Sequence, residues 1–259
     1  MSYELRSGNN TDITVVGNSV YKVSRYAFLQ EDATEMAKQL ESYAETFESE
    51  PIDVPDLKEV GIIKKSGDRY RVIHVLDLCT DPNLCSLQEE DLRSGLQRVL
   101  GQIAAMSTFD NERLLRVPID ASANNFHVGH KGVLVDLFPP LLRKKDGSLP
   151  FSNIQYSRTF IRRNLISYTR GTVEGAILST LFTGIMGDRP FQQAIHTAKG
   201  IDTWCYDMIP TTLKAPTKDN IRRQIKAHFI PHFLRNSISD GICGVQKMLG
   251  VSPYGRGES

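Results

Sequence analysis

Three oxygen-bearing side chains in the middle of this chain have the types and spacing that could carry metal-dependent chemistry. Asp120 precedes Asn125 by five residues, and Asp136 follows at the end of a short apolar run. A carboxylate can accept a proton from a hydroxyl, and carboxylate and amide oxygens are ligands that Mg²⁺ accepts. With 17 Asp and 11 Asn in 259 residues, the Asp120–Asn125 spacing is expected about once by chance. Its weight therefore depends on the elements that position it.

The first 79 residues predict a small antiparallel sheet that carries one helix. β-Branched runs on either side of Gly17-Asn18 predict a hairpin, and a second hairpin is predicted around Ser66-Gly67-Asp68. Between them, apolar residues at intervals of three and four predict an amphipathic helix over Glu31–Phe47. The predicted order is therefore β-β-α-β-β.

The rest of the chain predicts a mainly helical region. A helix is predicted over Leu87–Met106, where an acidic first turn precedes an apolar face. A short strand, Gly132–Val135, ends at Asp136, and from Tyr156 onward the pattern is mostly helical. We therefore predict an α+β fold in one domain, with residues 1–79 as a small N-terminal lobe and residues 80–259 as a larger C-terminal lobe.

Composition and charge exclude several classes of protein. Hydrophobic residues make up 40% and charged residues 24%, which is typical of soluble globular chains and not of disordered ones. No run of 18 apolar residues predicts a membrane span, and the polar N-terminus predicts no secretory signal, so we expect a cytoplasmic protein with its four cysteines reduced. Residues 1–139 hold 14 Lys+Arg against 22 Asp+Glu, and residues 140–259 hold 17 against 8. The basic second half leaves open an anionic ligand or RNA as a partner.

This order of elements, with the three oxygen-bearing residues at these places, resembles the protein-kinase-like phosphotransferases, including the aminoglycoside and choline kinase group. The resemblance covers the element order of nearly all of residues 12–140 but only a handful of sequence positions. It implies a bilobal fold that binds ATP and Mg²⁺ in the cleft between the lobes. The activity it implies is phosphoryl transfer to a hydroxyl of a small molecule.

The resemblance also implies a role for each of four residues. Asp120 would accept the proton of the attacking hydroxyl. Asn125 and Asp136 would bind magnesium, which keeps several waters and so needs few protein ligands. Lys22, on a predicted strand, would neutralise the nucleotide phosphates.

Further nucleotide contacts follow from the same resemblance. Glu41 on the predicted helix would hold Lys22 in place, with Glu35 as the alternative. The glycine-containing turn before Lys22 would let the backbone approach the phosphates, and the connector after the fourth strand would bind adenine through its backbone. The residues given these contacts are Gly17, Asn18 and Ser19 for the phosphates, Leu76 and Leu78 within the connector 75–79 for adenine, and Asp77 or Asp81 near the ribose.

Three departures from the family pattern narrow the function. Pro118-Ile119-Asp120 lacks the histidine that the family places before its catalytic aspartate, so a catalytically weak or inactive kinase-like binding protein is the alternative function. Asp136 is followed by Leu-Phe-Pro-Pro, and two prolines disfavour a mobile activation segment. This favours small-molecule kinases over protein kinases. No second glycine follows Gly17 closely, which predicts a short phosphate loop.

Simpler interpretations of the same residues stay open. Asp120 and Asn125 could form a polar turn, and Asp136 could merely end a strand. Lys22 and Glu41 could face solvent. A third possible function is RNA binding by the basic C-terminal half. For the kinase we expect a neutral or anionic acceptor rather than a polycationic one, because the lobe that would bind it carries excess positive charge.

Overall fold

A computed structural model describes residues 4–7, 11–25, 27–87, 89–108, 113–139, 168–186 and 201–225. The fold is α+β, as predicted, with an antiparallel sheet and one helix in the N-terminal part and a mainly helical part after it. The N-terminal elements are β1 (Glu4–Ser7), β2 (Thr11–Val16), β3 (Ser19–Ser24), β4 (Phe28–Leu29), α1 (Gln30–Glu45), β5 (Leu57–Ser66) and β6 (Arg69–Asp77).

All strand pairs of the N-terminal sheet are antiparallel. The strand order is β1-β2-β3-β6-β4, and β5 also pairs with β6. Both predicted hairpins are confirmed, and their turns place Gly17 at φ 59° and Gly67 at φ 51°, where a side chain would be strained. Strand β1 is absent from the sequence prediction because Leu5 is its only apolar residue. The sheet therefore begins one strand earlier than expected.

Helix α1 packs on the sheet through an apolar face. Ala33, Met36 and Leu40 are buried on this face, and Phe28 and Val72 of the sheet complete a small core with them. The helix predicted over Glu31–Phe47 is confirmed, although its last two residues belong to a 3₁₀ turn, Thr46–Ser49. The opposite face of α1 is exposed and carries charged and polar residues.

The C-terminal part surrounds a larger core. Leu96 and Leu100 of the predicted long helix pack with Ile177 and Leu181 of a second helix, and all four side chains are fully buried. No helix in the described ranges has the length and apolar character needed to cross a bilayer. The elements here are α2 (Glu89–Ala105), β7 (Phe126–Val128), β8 (Gly132–Leu134), α3 (Val173–Met186), α4 (Ile201–Met208) and a further helix over 215–225.

The hairpin of β7 and β8 and the loop before it are anchored on α3. The amide of Ala123 donates to Thr183 Oγ1 at 2.7 Å, and Thr180 Oγ1 donates to the carbonyl of Ala121 at 2.8 Å. These two threonines satisfy loop backbone groups that the interior would otherwise leave without partners. The loop that carries Asp120 is therefore held by a buried helix.

The packing of α1 predicts the effect of removing its central side chain. Leu40 is fully buried, so Leu40→Ala is expected to lower the free energy of unfolding by about 2–5 kcal/mol, because it leaves a cavity under the helix. The control is Glu41→Ala at the next, exposed position, which should change it by less than about 0.5 kcal/mol. Denaturant unfolding measures both, and equal effects would contradict this orientation of α1.

Candidate active site

The β7–β8 hairpin brings Asn125 and Asp136 together. Phe126 pairs with Leu134 across the hairpin, and the amide of Val135 donates to the carbonyl of Asn125 at 2.9 Å. Asn125 therefore lies directly before β7, and Asp136 lies beside it at the exit of β8. Strand β8 is the strand that the sequence predicts before Asp136.

Lys22 reaches this hairpin from the sheet. Its Nζ donates to the carbonyl of Val135 at 2.8 Å and lies 3.4 Å from Oδ1 of Asp136. The Lys22 side chain is 9% exposed and that of Asp136 is 34% exposed. The interpretation that Lys22 faces solvent is therefore wrong, and its ammonium joins two parts of the chain that are more than 100 residues apart.

Asp120 lies in the loop before the hairpin and is paired with an arginine. Its Oδ2 accepts a hydrogen bond from Nη2 of Arg170 at 2.9 Å. Its carbonyl accepts from Nδ2 of Asn125 at 3.1 Å, which orients the amide of that residue. Within the described residues, neither Asp120 Oδ1 nor Asn125 Oδ1 has a hydrogen-bond partner. Both oxygens can therefore accept a proton or a cation.

Tyr43 connects helix α1 to the same loop. Its hydroxyl donates to the carbonyl of Pro118 at 2.7 Å, and its ring meets that of Phe47 edge to face with centroids 5.0 Å apart. Burial raises the pKa of Tyr43 far above its ordinary value, and the negative charges of Asp136 and Asp120 raise it further. The hydroxyl stays protonated as a donor. In the sequence, Tyr43 belongs to the apolar face of the predicted helix. No sequence pattern indicates that its hydroxyl has a partner in the loop.

His74 lies beside Lys22 on the sheet. The two residues are paired across β3 and β6, and His74 is 1% exposed, with no hydrogen-bond partner for its Nε2 among the described residues. Its ring centroid is 6.3 Å from that of Phe138, just after Asp136. Burial lowers the pKa of His74 to about 3, the charge of Lys22 acts in the same direction, and Asp136 opposes them. The imidazole is therefore neutral near pH 7. No sequence pattern indicates that His74 belongs to the site.

The prediction that Glu41 holds Lys22 is wrong. Glu41 is exposed and lines a groove of about 690 Å³ between α1 and β5, together with Lys58 and Glu59. The alternative, Glu35, accepts a hydrogen bond from Gln39 on the same helix. The reason is the orientation of α1, whose apolar residues take the face toward the sheet. The carboxylate that pairs with Lys22 is that of Asp136.

The predicted phosphate contacts of Gly17, Asn18 and Ser19 stay predictions. This turn joins β2 to β3 at the end of the sheet where Ser19 pairs with Asp77, and the Asn18 carbonyl accepts from the amide of Leu78 at 3.1 Å. Lys22 lies three residues further along β3, which corresponds to about 10 Å of strand. The connection between β1 and β2, residues 8–10, lies outside the described residues.

The connector after β6 has two backbone N–H groups that are bonded within the protein. The amide of Asp77 donates to the carbonyl of Asp56 at 3.0 Å, and the amide of Leu78 is already bonded to the Asn18 carbonyl. Leu76 lies within the sheet, paired with Val20 and Leu57, and is fully buried. The N–H of Leu78 is therefore used inside the protein, and adenine binding by the backbone of this connector stays a prediction.

Comparison with known proteins gives structural similarity without sequence similarity. The sequence matches no protein-family model and no curated protein. Amicoumacin kinase hAmiN, solved with AMP-PNP, Ca²⁺ and Ami, is 11% identical over 87% of this chain and 88% of that chain, with a TM-score of 0.40. The structure of APH(2'')-IIIa with GDP and kanamycin is 13% identical over 88% and 93%, with a TM-score of 0.38.

A third similar structure is the complex of Neurospora crassa PAN2 (WD40-CS1) with PAN3 (pseudokinase and C-term). It is 9% identical over 95% of this chain and 64% of that chain, with a TM-score of 0.43. At these identities, what each of the three proteins binds is a property of that protein. For this chain, the elements define an α+β fold, with an antiparallel sheet and α1 in the N-terminal part and a mainly helical part after it.

The contact between Tyr43 and Pro118 predicts a stability change. Tyr43→Phe removes the donor and leaves the Pro118 carbonyl without it, so we expect the free energy of unfolding to fall by about 1–2 kcal/mol. Tyr206→Phe is the control, because that exposed hydroxyl also donates to a carbonyl, that of Arg222, at 3.4 Å. Its effect should stay below about 0.5 kcal/mol. A smaller loss for Tyr43→Phe than for the control would contradict a supporting role.

The lowered pKa of His74 predicts a pH dependence of stability. Between the ordinary pKa of 6.5 and about 3, the unfolded chain binds a proton that the folded chain does not. Stability should therefore fall as the pH falls below 6.5, by up to about 1.4 kcal/mol per pH unit. His74→Leu removes this contribution, so from pH 7 to pH 5 the wild type should lose about 2 kcal/mol more than the variant. Parallel pH profiles in urea unfolding would contradict the buried neutral state.

Proposed function

We propose that this protein is an ATP- and Mg²⁺-dependent phosphotransferase that phosphorylates a hydroxyl of a small molecule. In this proposal residues 1–79 form the nucleotide-binding lobe and residues 80–259 the catalytic and acceptor-binding lobe. The observation that carries the proposal is the contact of Lys22 with Val135 and Asp136, which brings a positive charge to the hairpin that also begins at Asn125. Phosphoryl transfer needs positioned charge more than covalent chemistry by the protein.

The donor set near Asp136 fits magnesium. The Asp136 carboxylate is one-third exposed, and the Asn125 amide is turned so that its nitrogen bonds to the Asp120 carbonyl. Both offer hard oxygen atoms, and a magnesium ion completes its shell with water and phosphate oxygens. In this proposal Asn125 and Asp136 hold the ion, which would neutralise charge on the phosphates.

The remaining groups have separate tasks in the proposed reaction. The acceptor hydroxyl oxygen forms the new bond to the γ-phosphorus while the bond from that phosphorus to the β–γ bridging oxygen breaks, and ADP leaves. Oδ1 of Asp120 accepts the hydroxyl proton. Lys22 supplies positive charge on the nucleotide side, next to Asp136. The sign of the charge beside Asp120, that of Arg170, supports a neutral or anionic acceptor over a polycationic one.

One observation favours a second function, a kinase-like binding protein without transfer activity. Pro118 stands where the family has its loop histidine, and a proline side chain offers no hydrogen bond to hold the loop. Such a protein would bind nucleotide with Lys22 and Asp136 but would leave it intact. The two functions differ in turnover and agree in binding.

Turnover and binding of MgATP by four variants test the proposal. Asp136→Ala and Lys22→Ala should each lower Mg²⁺-dependent phosphate release from ATP by about 100-fold or more, because each removes charge stabilisation at the phosphates. The controls are Asp207→Ala and Lys64→Ala, which remove exposed charges away from Lys22 and Asp136. Full activity in Asp136→Ala would refute the proposal. If the wild type releases no phosphate but MgATP raises its melting temperature, the second function, a binding protein without transfer activity, is established instead.

A further inference from the structure

We propose that Arg170 is the positioning residue that orients Asp120 for proton acceptance, in place of the histidine that this loop lacks. The inference rests on the proposed function, because it concerns the carboxylate that would receive the acceptor proton. Arg170 lies 50 residues after Asp120, outside the loop, and no sequence pattern connects the two.

The contact of Arg170 with Asp120 uses one carboxylate oxygen and leaves the other. Nη2 of Arg170 donates to Oδ2 of Asp120 at 2.9 Å, and both side chains are 31% exposed. Oδ1 has no hydrogen-bond partner among the described residues. A carboxylate held by one oxygen has a fixed rotamer, and its second oxygen can face a substrate. This is the arrangement that a positioned general base requires.

The backbone of Arg170 is fixed to the segment that carries Asp120. The amide of Ile119, the residue before Asp120, donates to the Arg170 carbonyl at 3.0 Å. The amide of Leu115 donates to the Gly171 carbonyl at 3.0 Å. Arg170 and Asp120 are therefore held at a set distance by backbone bonds as well as by their ion pair.

The turn that presents Arg170 is itself specified. Thr172 Oγ1 donates to the Tyr168 carbonyl at 2.7 Å and accepts from the amide of Gly175 at 3.0 Å. A Cβ at Gly175 would lie 2.2 Å from the Tyr168 carbonyl oxygen, so only glycine allows this approach. The Tyr168 hydroxyl bonds to the buried carboxylate of Glu174 at 3.2 Å. The position of Arg170 thus follows from several contacts that do not involve Asp120.

Steady-state kinetics of MgATP hydrolysis, with water as the acceptor, test this role. Arg170→Gln should lower kcat by about 10- to 100-fold. The KM for MgATP and the increase in melting temperature on MgATP binding should each stay within about twofold of the wild-type values. Arg170→Lys keeps a positive charge and should recover part of the loss. The matched control is Arg93→Gln, since Arg93 is 36% exposed and pairs with the exposed Asp207 at 3.7 Å, away from the site. It should behave as wild type.

A double-mutant cycle separates positioning from a general structural effect. In an Asp120→Asn background, Arg170→Gln should cause no further loss of kcat, because both changes remove the same proton acceptor. Additive losses would overturn the inference. Should Arg170→Gln fail to fold, Arg170→Met keeps the aliphatic stem and carries the same expectation.

The two proposals fail in different ways. Wild-type kcat in Arg170→Gln, together with an inactive Asp136→Ala, would overturn the role of Arg170 and leave the phosphotransferase in place. Equal turnover in wild type and Asp136→Ala would overturn the phosphotransferase, and the role of Arg170 with it.

Discussion

The site depends on the burial of the Lys22 ammonium against Val135 and Asp136. Removing a positive charge from water is costly unless the charge is paired and its hydrogen bonds are made. A carbonyl at 2.8 Å and a carboxylate at 3.4 Å meet both conditions here. Because Lys22 belongs to the sheet and Asp136 to the exit of the hairpin, the contact forms only when both parts have their correct register. The local chemistry is thus a consequence of the whole fold.

Two neighbours of this ion pair, His74 and Tyr43, are polar but uncharged. Burial keeps His74 neutral and Tyr43 protonated, so each lies close to the pair without adding a charge to it. A charged imidazole next to Lys22 would repel the ammonium, and a phenolate would repel Asp136. In surroundings of low dielectric these interactions are stronger than in water. His74 and Tyr43 therefore add no charge to the Lys22–Asp136 pair, which lies where the proposal places the nucleotide phosphates.

Local patterns in the sequence predicted the elements better than the partners of individual side chains. The two hairpins, α1 and the strand before Asp136 each have a local periodicity or turn signal, and the structure contains all of them. Strand β1 has almost no apolar residue, so it was missed. The error at Glu41 is of another kind, because helical spacing gives the face of a residue but not its partner. Arg170 could not be found at all, since only tertiary contacts bring it to Asp120.

The support of α1 differs from the one that the kinase resemblance implies. With a carboxylate on Lys22, the helix would be coupled to the nucleotide side of the site. Instead, Tyr43 couples α1 to Pro118, two residues before Asp120, and thus to the loop that carries the proposed proton acceptor. Breaking an exposed ion pair costs little, because water takes the place of each partner. Breaking the partly buried hydrogen bond of Tyr43 costs more, because it leaves the Pro118 carbonyl without a donor. Movement of α1 would therefore disturb the proposed proton acceptor first, while Lys22 and Asp136 keep each other in place.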